Sequence, residues 1–393
     1  MTRLLWTGDL HLGKGGAYGR VPGERLAEQE AVWASIVALA REGDVDAILF
    51  AGDAFEGPLP TPEHYAAFAR PLRNAPCPVI AVSGNGRHDS AMRDTNALEV
   101  IGDLLALHTR PAIAKVADVS IACLPWAPVS RIVAAQNGGD RDDVNQLAAE
   151  LLMETARGLR AEIEGPAILL THFSISGASL PGGMTSDQLR EPLLPLEELE
   201  RLGFDAVVAG HLHPPALLAS NPAEPQLPIL YVGSPLPLDF GEGGYEHGCW
   251  LLDLDGPRGA TVPQFLKIES RRFVTLDWDY GAAESLLDLD AGRGVGWSFG
   301  EGSFVKLRYS CTAEEARRLD AGALRQALLD AGAHNVWVEP TIERDVRARV
   351  EGLDESVSDT DALSLWLDAQ EIPADRHDGL RTLHEGYLAG VIR

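Results

Sequence analysis

Five apolar segments in the first 240 residues each end in a short turn that carries Asp, Asn or His, and no other feature constrains the fold as strongly. In four of these turns a glycine precedes the polar residue, which lets the backbone bend sharply beside it. The polar side chains at the five turns are Asp9, His11, Asp53, Asn85, His172, His211 and His213. In open α/β folds, binding sites lie outside the carboxyl ends of the strands. We therefore expect these side chains to converge at one edge of a sheet.

The converging side chains would provide a mixed set of oxygen and nitrogen donors. Such a set suits borderline cations such as Mn²⁺, Fe²⁺ or Zn²⁺ better than an all-oxygen calcium cage does. Of the three, Mn²⁺ is the expected cofactor. In an extended strand residues i and i+2 point to the same side, so Asp9 with His11, and His211 with His213, can reach one cluster. Two cations about 3.5–4 Å apart clamp a phosphate and generate a hydroxide nucleophile from a bridging water.

Segments typical of strands and helices alternate up to about residue 271, which predicts an α/β fold, a two-sheet sandwich flanked by helices. The predicted strands are Arg3–Trp6, Ala47–Phe50, Val79–Val82, Ala167–Leu170, Ala206–Ala209, Ile229–Val232, Gly248–Leu254 and Thr261–Ile268. The predicted helices are Glu24–Arg41, Pro62–Arg73, Asn96–Leu107 and Asp143–Ile163. The pattern thus assigns residues 1–272 to one domain.

The composition changes after this domain. An acidic, glycine-rich stretch, Asp277–Gly302, predicts a linker or a long loop. It is followed by a small β-α-β cap (Phe304–Tyr309, Ala313–Ala331 and Val336–Glu339) and by two short amphipathic helices (Asp359–Asp368 and Asp375–Leu388). We therefore expect a cap domain at 273–345 and C-terminal helices at 346–393.

Composition limits the functions that the 393 residues can serve. The chain is 45% hydrophobic, so it can bury a large core, and its formal net charge of −25 argues against a broad basic surface for nucleic acid. The four cysteines are scattered and indicate neither a zinc knuckle nor a disulfide framework. The sequence has no apparent signal peptide and no apolar run of membrane-spanning length. A reduced, cytoplasmic location without membrane contact is expected.

The order G-D-x-H, G-D, G-N, a single strand-end His and G-H-x-H resembles the calcineurin-like metallophosphoesterase superfamily. The resemblance covers residues 1 to about 240. It implies that Asp9, His11, Asp53 and His213 bind a first metal ion, and that Asp53, Asn85, His172 and His211 bind a second, with Asp53 as the bridge. An isolated Asp or His at a strand end is usually a cap or a core residue, but all of them in this order favour a metal site.

Within that superfamily the chain is similar to the SbcD nucleases. The segments Gly8–Gly13 and Tyr231–Leu236 match the opening and the Y-x-G-S-P-L signature of that family, and the β-α-β module resembles its DNA-contacting cap. The resemblance implies an exonuclease or endonuclease in DNA repair or recombination that works with an SbcC-like coiled-coil ATPase and forms a homodimer. Apolar residues of the C-terminal helices would be the dock for that ATPase: Leu363, Leu365, Trp366, Leu367, Leu380, Leu383 and Leu388. Alternatively, the two helices pack on their own domain.

Two positions depart from the family pattern. The usual G-N-H-D reads Gly84-Asn85-Gly86-Arg87-His88-Asp89 here, so His88 serves the leaving group only if Gly86 and Arg87 bulge out. The position three residues after Asp53, often His, is Glu56, which could orient a histidine or a water. Arg87 is a candidate phosphate contact. Lys14 and Arg20, in the glycine-rich loop, are further candidate substrate contacts or simply part of a solvated loop.

Three functions remain open on the sequence alone. The leading hypothesis is two-metal hydrolysis of DNA phosphodiester bonds. A small-molecule phosphodiesterase or phosphomonoesterase of the same superfamily is favoured by the acidity and by the altered G-N-H-D motif. A non-catalytic scaffold is opposed by the intact ligand set.

Overall fold

The computed structural model describes residues 1–89, 96–134, 141–220, 227–256, 262–280, 299–343, 357–369 and 372–388. The strands are β1 Thr2–Thr7, β2 Ala47–Phe50, β3 Val79–Val82, β4 Ala106–His108, β5 Ala112–Val116, β6 Val119–Leu124, β7 Ala167–Thr171, β8 Ser174–Ile175, β9 Leu193–Leu194, β10 Ala206–Ala209, β11 Ala216–Leu218, β12 Ile229–Tyr231, β13 Gly248–Leu254, β14 Gln264–Lys267, β15 Phe273–Asp279, β16 Phe304–Thr312 and β17 Asn335–Glu343. The α-helices are α1 Glu24–Glu42, α2 Pro62–Leu72, α3 Val129–Ile132, α4 Arg141–Ala161, α5 Leu196–Arg201, α6 Glu315–Arg318, α7 Ala321–Asp330, α8 Asp359–Ala369 and α9 His377–Leu388.

Two six-stranded sheets, with orders β14-β13-β1-β2-β3-β4 and β11-β12-β10-β7-β6-β5, dominate the structure. In the first sheet β1, β2, β3 and β4 are parallel, and in the second β6, β7, β10 and β12 are parallel. The remaining strands of both sheets are antiparallel to their neighbours. Within each sheet the carboxyl ends of the parallel strands therefore share one edge.

The core has three apolar clusters that correspond to the layers of a sandwich. Alternate residues of a strand face opposite sides. In β1, Leu4 and Trp6 belong to the cluster between the sheets, whereas Leu5 packs with α1 and α2 on the outer face. The second sheet is covered by α4 and α5, with Leu152 and Leu199 in the third cluster. The predicted two-sheet α/β sandwich flanked by helices is confirmed.

Two predicted helices differ from the structure. Asn96–Leu107 was expected to be one helix, but the chain forms a 3₁₀ segment, Ala97–Leu104, and then β4. Gly102 interrupts the segment with a φ of 64° and a ψ of −135°, so the helix cannot continue. The predicted helix Ala313–Ala331 divides into α6 and α7, because the Asp320 side chain accepts hydrogen bonds from the backbone at the start of α7.

The C-terminal region contains the predicted types of element. Strands β15, β16 and β17 form a three-stranded sheet, α7 lies between β16 and β17 in the chain, and α8 and α9 follow. Most of the expected linker, 281–298, and the expected boundary at 345/346 lie outside the described residues. The divisions at 272 and 345 stay predictions. None of the described helices has the length and apolar character needed to span a membrane.

Candidate metal centre

The chain adopts an unusual backbone conformation at the strand-end turns. Six non-glycine residues in the described chain have positive φ angles, and four of them are Asp9, His11, Asp53 and His211, with φ between 45° and 85°. Such a conformation is costly for residues with a Cβ and is concentrated at functional sites. Backbone hydrogen bonds hold the turns in place, since Asp9 N–H donates to Gly52 O at 2.9 Å and His11 N–H donates to Asp53 O at 3.1 Å.

The turns of both sheets bring the predicted side chains together. Three overlapping groups each place their ligand atoms within 4.8 Å of one another: Asp9, His11 and His213; His11, Asp53 and His88; and Asp53, His172 and His211. Asp53 joins the last two groups, with Oδ2 at 3.6 Å from His11 Nε2 and 3.3 Å from His172 Nε2. Asp9 and Asp53 are fully enclosed. The first and third groups contain residues that the resemblance assigns to the first and the second metal ion, respectively, and that assignment stays a prediction.

Each histidine of the centre has one ring nitrogen occupied by an acceptor, which fixes its tautomer. His11 Nδ1 lies 3.0 Å from Glu56 Oε2, and His213 Nδ1 lies 2.6 Å from Glu242 Oε1. His211 Nε2 contacts Glu191 Oε1 at 3.0 Å. Backbone oxygens serve the other two: His172 Nδ1 donates to Ala51 O at 2.6 Å and His88 Nδ1 donates to Glu56 O at 2.8 Å.

Three glutamates act as these acceptors in their ionised form. Burial alone would raise their pKa values, but the bound histidines outweigh burial and lower the pKa of Glu56, Glu191 and Glu242. Lys14 also lowers the pKa of Glu56. The ionised glutamates therefore hold the ring N–H of their partners, and the second nitrogen of each ring is left to act as a ligand.

The fixed tautomers leave lone pairs that face one another. His11 Nε2 and His213 Nε2 are 3.0 Å apart, and both rings already use Nδ1 as the donor. His172 Nε2 is buried without a hydrogen-bond partner among the described residues and faces the Asp53 carboxylate. Lone pairs at these separations repel unless a cation or an added proton lies between them. The residues thus fit the dinuclear divalent metal site that the resemblance implies.

Asn85 reaches the same carboxylate through its amide nitrogen. Its Nδ2 donates to Asp53 Oδ2 at 3.1 Å, and its Oδ1 accepts from Arg87 N at 3.0 Å. Because only an amide oxygen binds a cation, coordination by Asn85 requires rotation of the amide from this orientation. Asp89 contacts the backbone instead, because its carboxylate accepts from the N–H groups of Asp53, Ala54 and Gly84. Asp89 therefore fixes the two turns against each other.

The predicted catalytic and substrate-binding residues occupy different surroundings. Despite the extra Gly86 and Arg87, His88 lies in the cluster, with its ring centroid 4.5 Å from that of His11 and Nε2 3.9 Å from Asp53 Oδ2. Lys14 Nζ donates to Glu56 Oε1 at 3.2 Å, so Lys14 contacts the centre indirectly, through the glutamate that also binds His11. Arg87 is exposed beside His88, whereas Arg20 is exposed and its backbone N–H donates to Glu24.

The Tyr231–Leu236 segment packs against the backbone at His213 and contacts Glu242. Gly233 has a φ of 73°, and the segment turns closely against the backbone of His213 and Pro215. Ser234 N–H donates to His213 O at 2.9 Å, and Ser234 Oγ donates to Glu242 Oε2 at 3.1 Å. The segment is therefore a tight turn that also positions the glutamate partner of His213.

Sequence reasoning missed two of the three glutamates. Glu56 was identified at its position after Asp53 as a group that could orient a histidine. Glu191 lies in a bend and Glu242 ends the 3₁₀ segment Phe240–Glu242. They are 20 and 29 residues from the histidines that they contact, and no spacing rule connects them. The only sequence feature that could have pointed to Asp89 is its position directly after His88.

Gly84 packs so closely against Asp53 that no side chain fits at this position. A Cβ there would overlap Asp53 Oδ1 and the Asp53 backbone nitrogen. We expect Gly84→Ala to displace Asp53 and to lower metal affinity by about 10–100-fold, the range found when the support of a ligand is lost. Metal titration by calorimetry would measure this effect. Gly158→Ala is the control, because this glycine is exposed on α4 and a Cβ there meets nothing within 4 Å. Equal affinities for Gly84→Ala and the wild type would contradict the expectation.

Comparison with known proteins gives the same family as the sequence motifs. The model of the calcineurin-like phosphoesterase family matches residues 2–215. The SbcD subunit of nuclease SbcCD from Rhodobacter capsulatus is 28% identical over 296 residues, which cover 67% of this chain and 69% of that protein. The SbcD subunits from Escherichia coli K12 and Bacillus subtilis are 27% and 26% identical, over 66% and 74% of this chain and 67% and 76% of theirs.

Proposed function

Since the chain belongs to the calcineurin-like phosphoesterase family, we propose that it is a two-metal phosphodiesterase that hydrolyses DNA. The observation that carries the hydrolytic part is a set of hydrogen bonds that occupies Nδ1 of His11, His88 and His172, so that Nε2 of each ring faces Asp53. The choice of DNA is supported by three relatives that are named as nuclease subunits.

We assign one cation to Asp9, His11 and His213 and the other to Asn85, His172 and His211, with Asp53 between them. The oxygen donors suit Mn²⁺ and the imidazole nitrogens suit Fe²⁺ and Zn²⁺, so the mixed set is compatible with all three, and we propose Mn²⁺ first. When bound, the cations would offset the charge of the phosphate and lower the pKa of an attacking water. The protein contributes by holding the ligands, because each ring is oriented by a glutamate or a carbonyl.

His88 is assigned the role of moving a proton at the leaving oxygen. Its Nδ1 is held by Glu56 O, so Nε2 is the atom that faces the substrate side of the cluster. Burial lowers the pKa of His88, although the Asp53 carboxylate opposes this effect. Arg87 is assigned to a phosphate oxygen, and Lys14 to orienting Glu56. Arg20 remains a proposed contact to a more distant phosphate.

A partner would explain how an acidic chain engages DNA. The net charge of −25 gives little non-specific affinity for a phosphate backbone. An SbcC-like ATPase could supply that affinity, since the relatives are named as subunits of SbcCD. Trp366, Leu383 and Leu388 are exposed on α8 and α9 and would offer it an apolar contact, whereas Leu367 is buried and is not available.

The full chain, purified with Mn²⁺, is expected to cleave linear duplex and hairpin DNA and to hydrolyse bis(p-nitrophenyl) phosphate. Chelation should abolish both activities, and Mn²⁺ should restore them. Gel analysis of labelled DNA beside a spectrophotometric assay would measure the two reactions with one preparation. In an Asp53→Asn preparation made in the same way, cleavage of DNA should fall together with hydrolysis of the small ester, and cleavage that persists without ester hydrolysis would reveal a contaminating nuclease.

The acidity and the engagement of Lys14 by Glu56 favour a second candidate, a small-molecule phosphodiesterase or phosphomonoesterase. Cyclic nucleotides and p-nitrophenyl phosphate should be assayed in parallel with DNA. Rapid turnover of these small esters together with intact DNA would replace the nuclease assignment with this one.

A further inference from the structure

A cavity of about 750 Å³ opens next to the turn that carries Asn85. It is lined by Ser83, at the end of β3, by Pro125 and Trp126, after β6, and by one side of α4. Ser83 precedes Asn85 by two residues, so their Cα atoms are at most about 7 Å apart. None of the ligands of the metal centre lines the cavity. It is thus a separate space beside the candidate site.

Two residues that line this cavity carry donor atoms that are enclosed just behind its surface. Ser83 is 1% exposed and Asn96 is 6% exposed, and neither Ser83 Oγ nor Asn96 Nδ2 has a hydrogen-bond partner among the described residues. The amide of Asn96 is oriented by its cap, because Oδ1 accepts from Leu98 N at 2.8 Å. Only the NH₂ group is therefore free. Buried polar groups without partners are rare, and each asks for an acceptor that comes from outside.

The other walls define what could supply that acceptor. Trp126 provides an indole ring, and Leu124, Ile132 and Leu152 provide apolar surface. Arg110 and Arg131 are exposed side chains at the same cavity. An aromatic surface, edge donors and nearby guanidinium groups suit a flat heterocycle with acceptor atoms on its edge and an attached phosphate. The volume lies within the range of sites for small organic ligands.

We propose that this cavity receives one unpaired nucleobase of the DNA strand whose phosphate lies at the metal centre. The base stacks on Trp126, and Arg110 and Arg131 contact a flanking phosphate. Rotation of the Ser83 and Asn96 side chains on binding turns Oγ and Nδ2 toward the acceptors on the edge of the base. The inference rests on the proposed nuclease function and adds a preference to it: the enzyme favours strands with an unpaired base at this position.

The test compares single-stranded oligonucleotides that carry one abasic residue, moved stepwise across the cleavage position. At one position the abasic residue should raise KM about 10-fold for the wild type, the scale of one lost stacking contact. Trp126→Ala should raise KM for the intact strand by a similar factor and should show no further loss on that abasic strand. Trp126→Phe should retain most of the affinity.

Asn96→Ser keeps a cap oxygen and removes the amide donor, so it should raise KM for the intact strand by a smaller factor. Asn145→Ser, on α4 outside this cavity, is its matched control. Every variant should hydrolyse bis(p-nitrophenyl) phosphate within about twofold of the wild type, since that ester has no base to place. Trp126→Ala also removes packing against the third apolar cluster and should lower the melting temperature, so all assays are made well below that temperature.

The outcomes separate the two proposals. Cleavage of DNA by the wild type with an unchanged KM in Trp126→Ala, or with no effect of an abasic residue at any position, overturns the cavity assignment alone. An equal loss on bis(p-nitrophenyl) phosphate also overturns it, because the damage would then lie in the centre. Hydrolysis of the small ester without any cleavage of DNA overturns the nuclease function and the base pocket with it.

Discussion

Asp53→Asn should reduce hydrolysis of bis(p-nitrophenyl) phosphate by about 10³-fold or more, at or beyond the upper end of the effect of one lost electrostatic contact. The Asp53 carboxylate faces ring nitrogens of both ligand groups, and its replacement removes the negative charge that would hold two cations close together. Metal content should fall with activity. Steady-state kinetics at a fixed Mn²⁺ concentration and elemental analysis of the same sample would measure both.

The Asp53→Asn variant is expected to lose the bridging carboxylate without losing the fold. The backbone N–H of Asp53 is held by Asp89, so the turn should persist when the side chain becomes an amide. Circular dichroism should therefore be unchanged. Asp103→Asn, at an exposed position, is the control for the chemical change itself. Full activity with two bound metal ions in Asp53→Asn would remove Asp53 from its assigned place.

The sequence predicted the ligand cluster because local rules govern it. A buried strand followed by a turn with a polar side chain is visible in a few residues, and parallel strands bring their carboxyl ends to one edge. That is why His172, which has no glycine before it, could still be grouped with Asp53. Here the structure confirms the gathering of the side chains, while the metal assignments stay predictions.

What the sequence did not reveal depends on distant contacts. Glu242 meets His213 through a turn that is set by Ser234, and Glu191 reaches His211 across a loop, so neither pairing has a periodic signal. Strands β5 and β6 were not predicted, although β6 is buried between β5 and β7. The cavity likewise joins residues from β3, β6 and α4, which only the folded chain brings together.

The donors in the cavity and the fixed rings of the metal centre follow the same principle. In both places one atom of a side chain is used internally, and that bond determines which other atom is free: Asn96 caps a helical segment through Oδ1, and His88 is held through Nδ1. A free atom with a fixed direction is what a binding site requires. The role of His88 Nε2 in catalysis can therefore be tested with substrates whose leaving groups differ in their need for a proton.

His88→Ala should lower cleavage of DNA by about 10²-fold, the lower end of the contribution of a general acid or base, with metal content unchanged. The effect on bis(p-nitrophenyl) phosphate should be much smaller, because nitrophenolate departs without a proton whereas the sugar oxygen of DNA does not. His384→Ala, on α9, controls for removal of an imidazole. Equal losses on both substrates would make His88 a phosphate contact, and an unchanged rate on DNA would remove it from the site. Because His88 Nε2 lies 3.9 Å from Asp53 Oδ2, a drop in metal content would show that the ring also supports the cations.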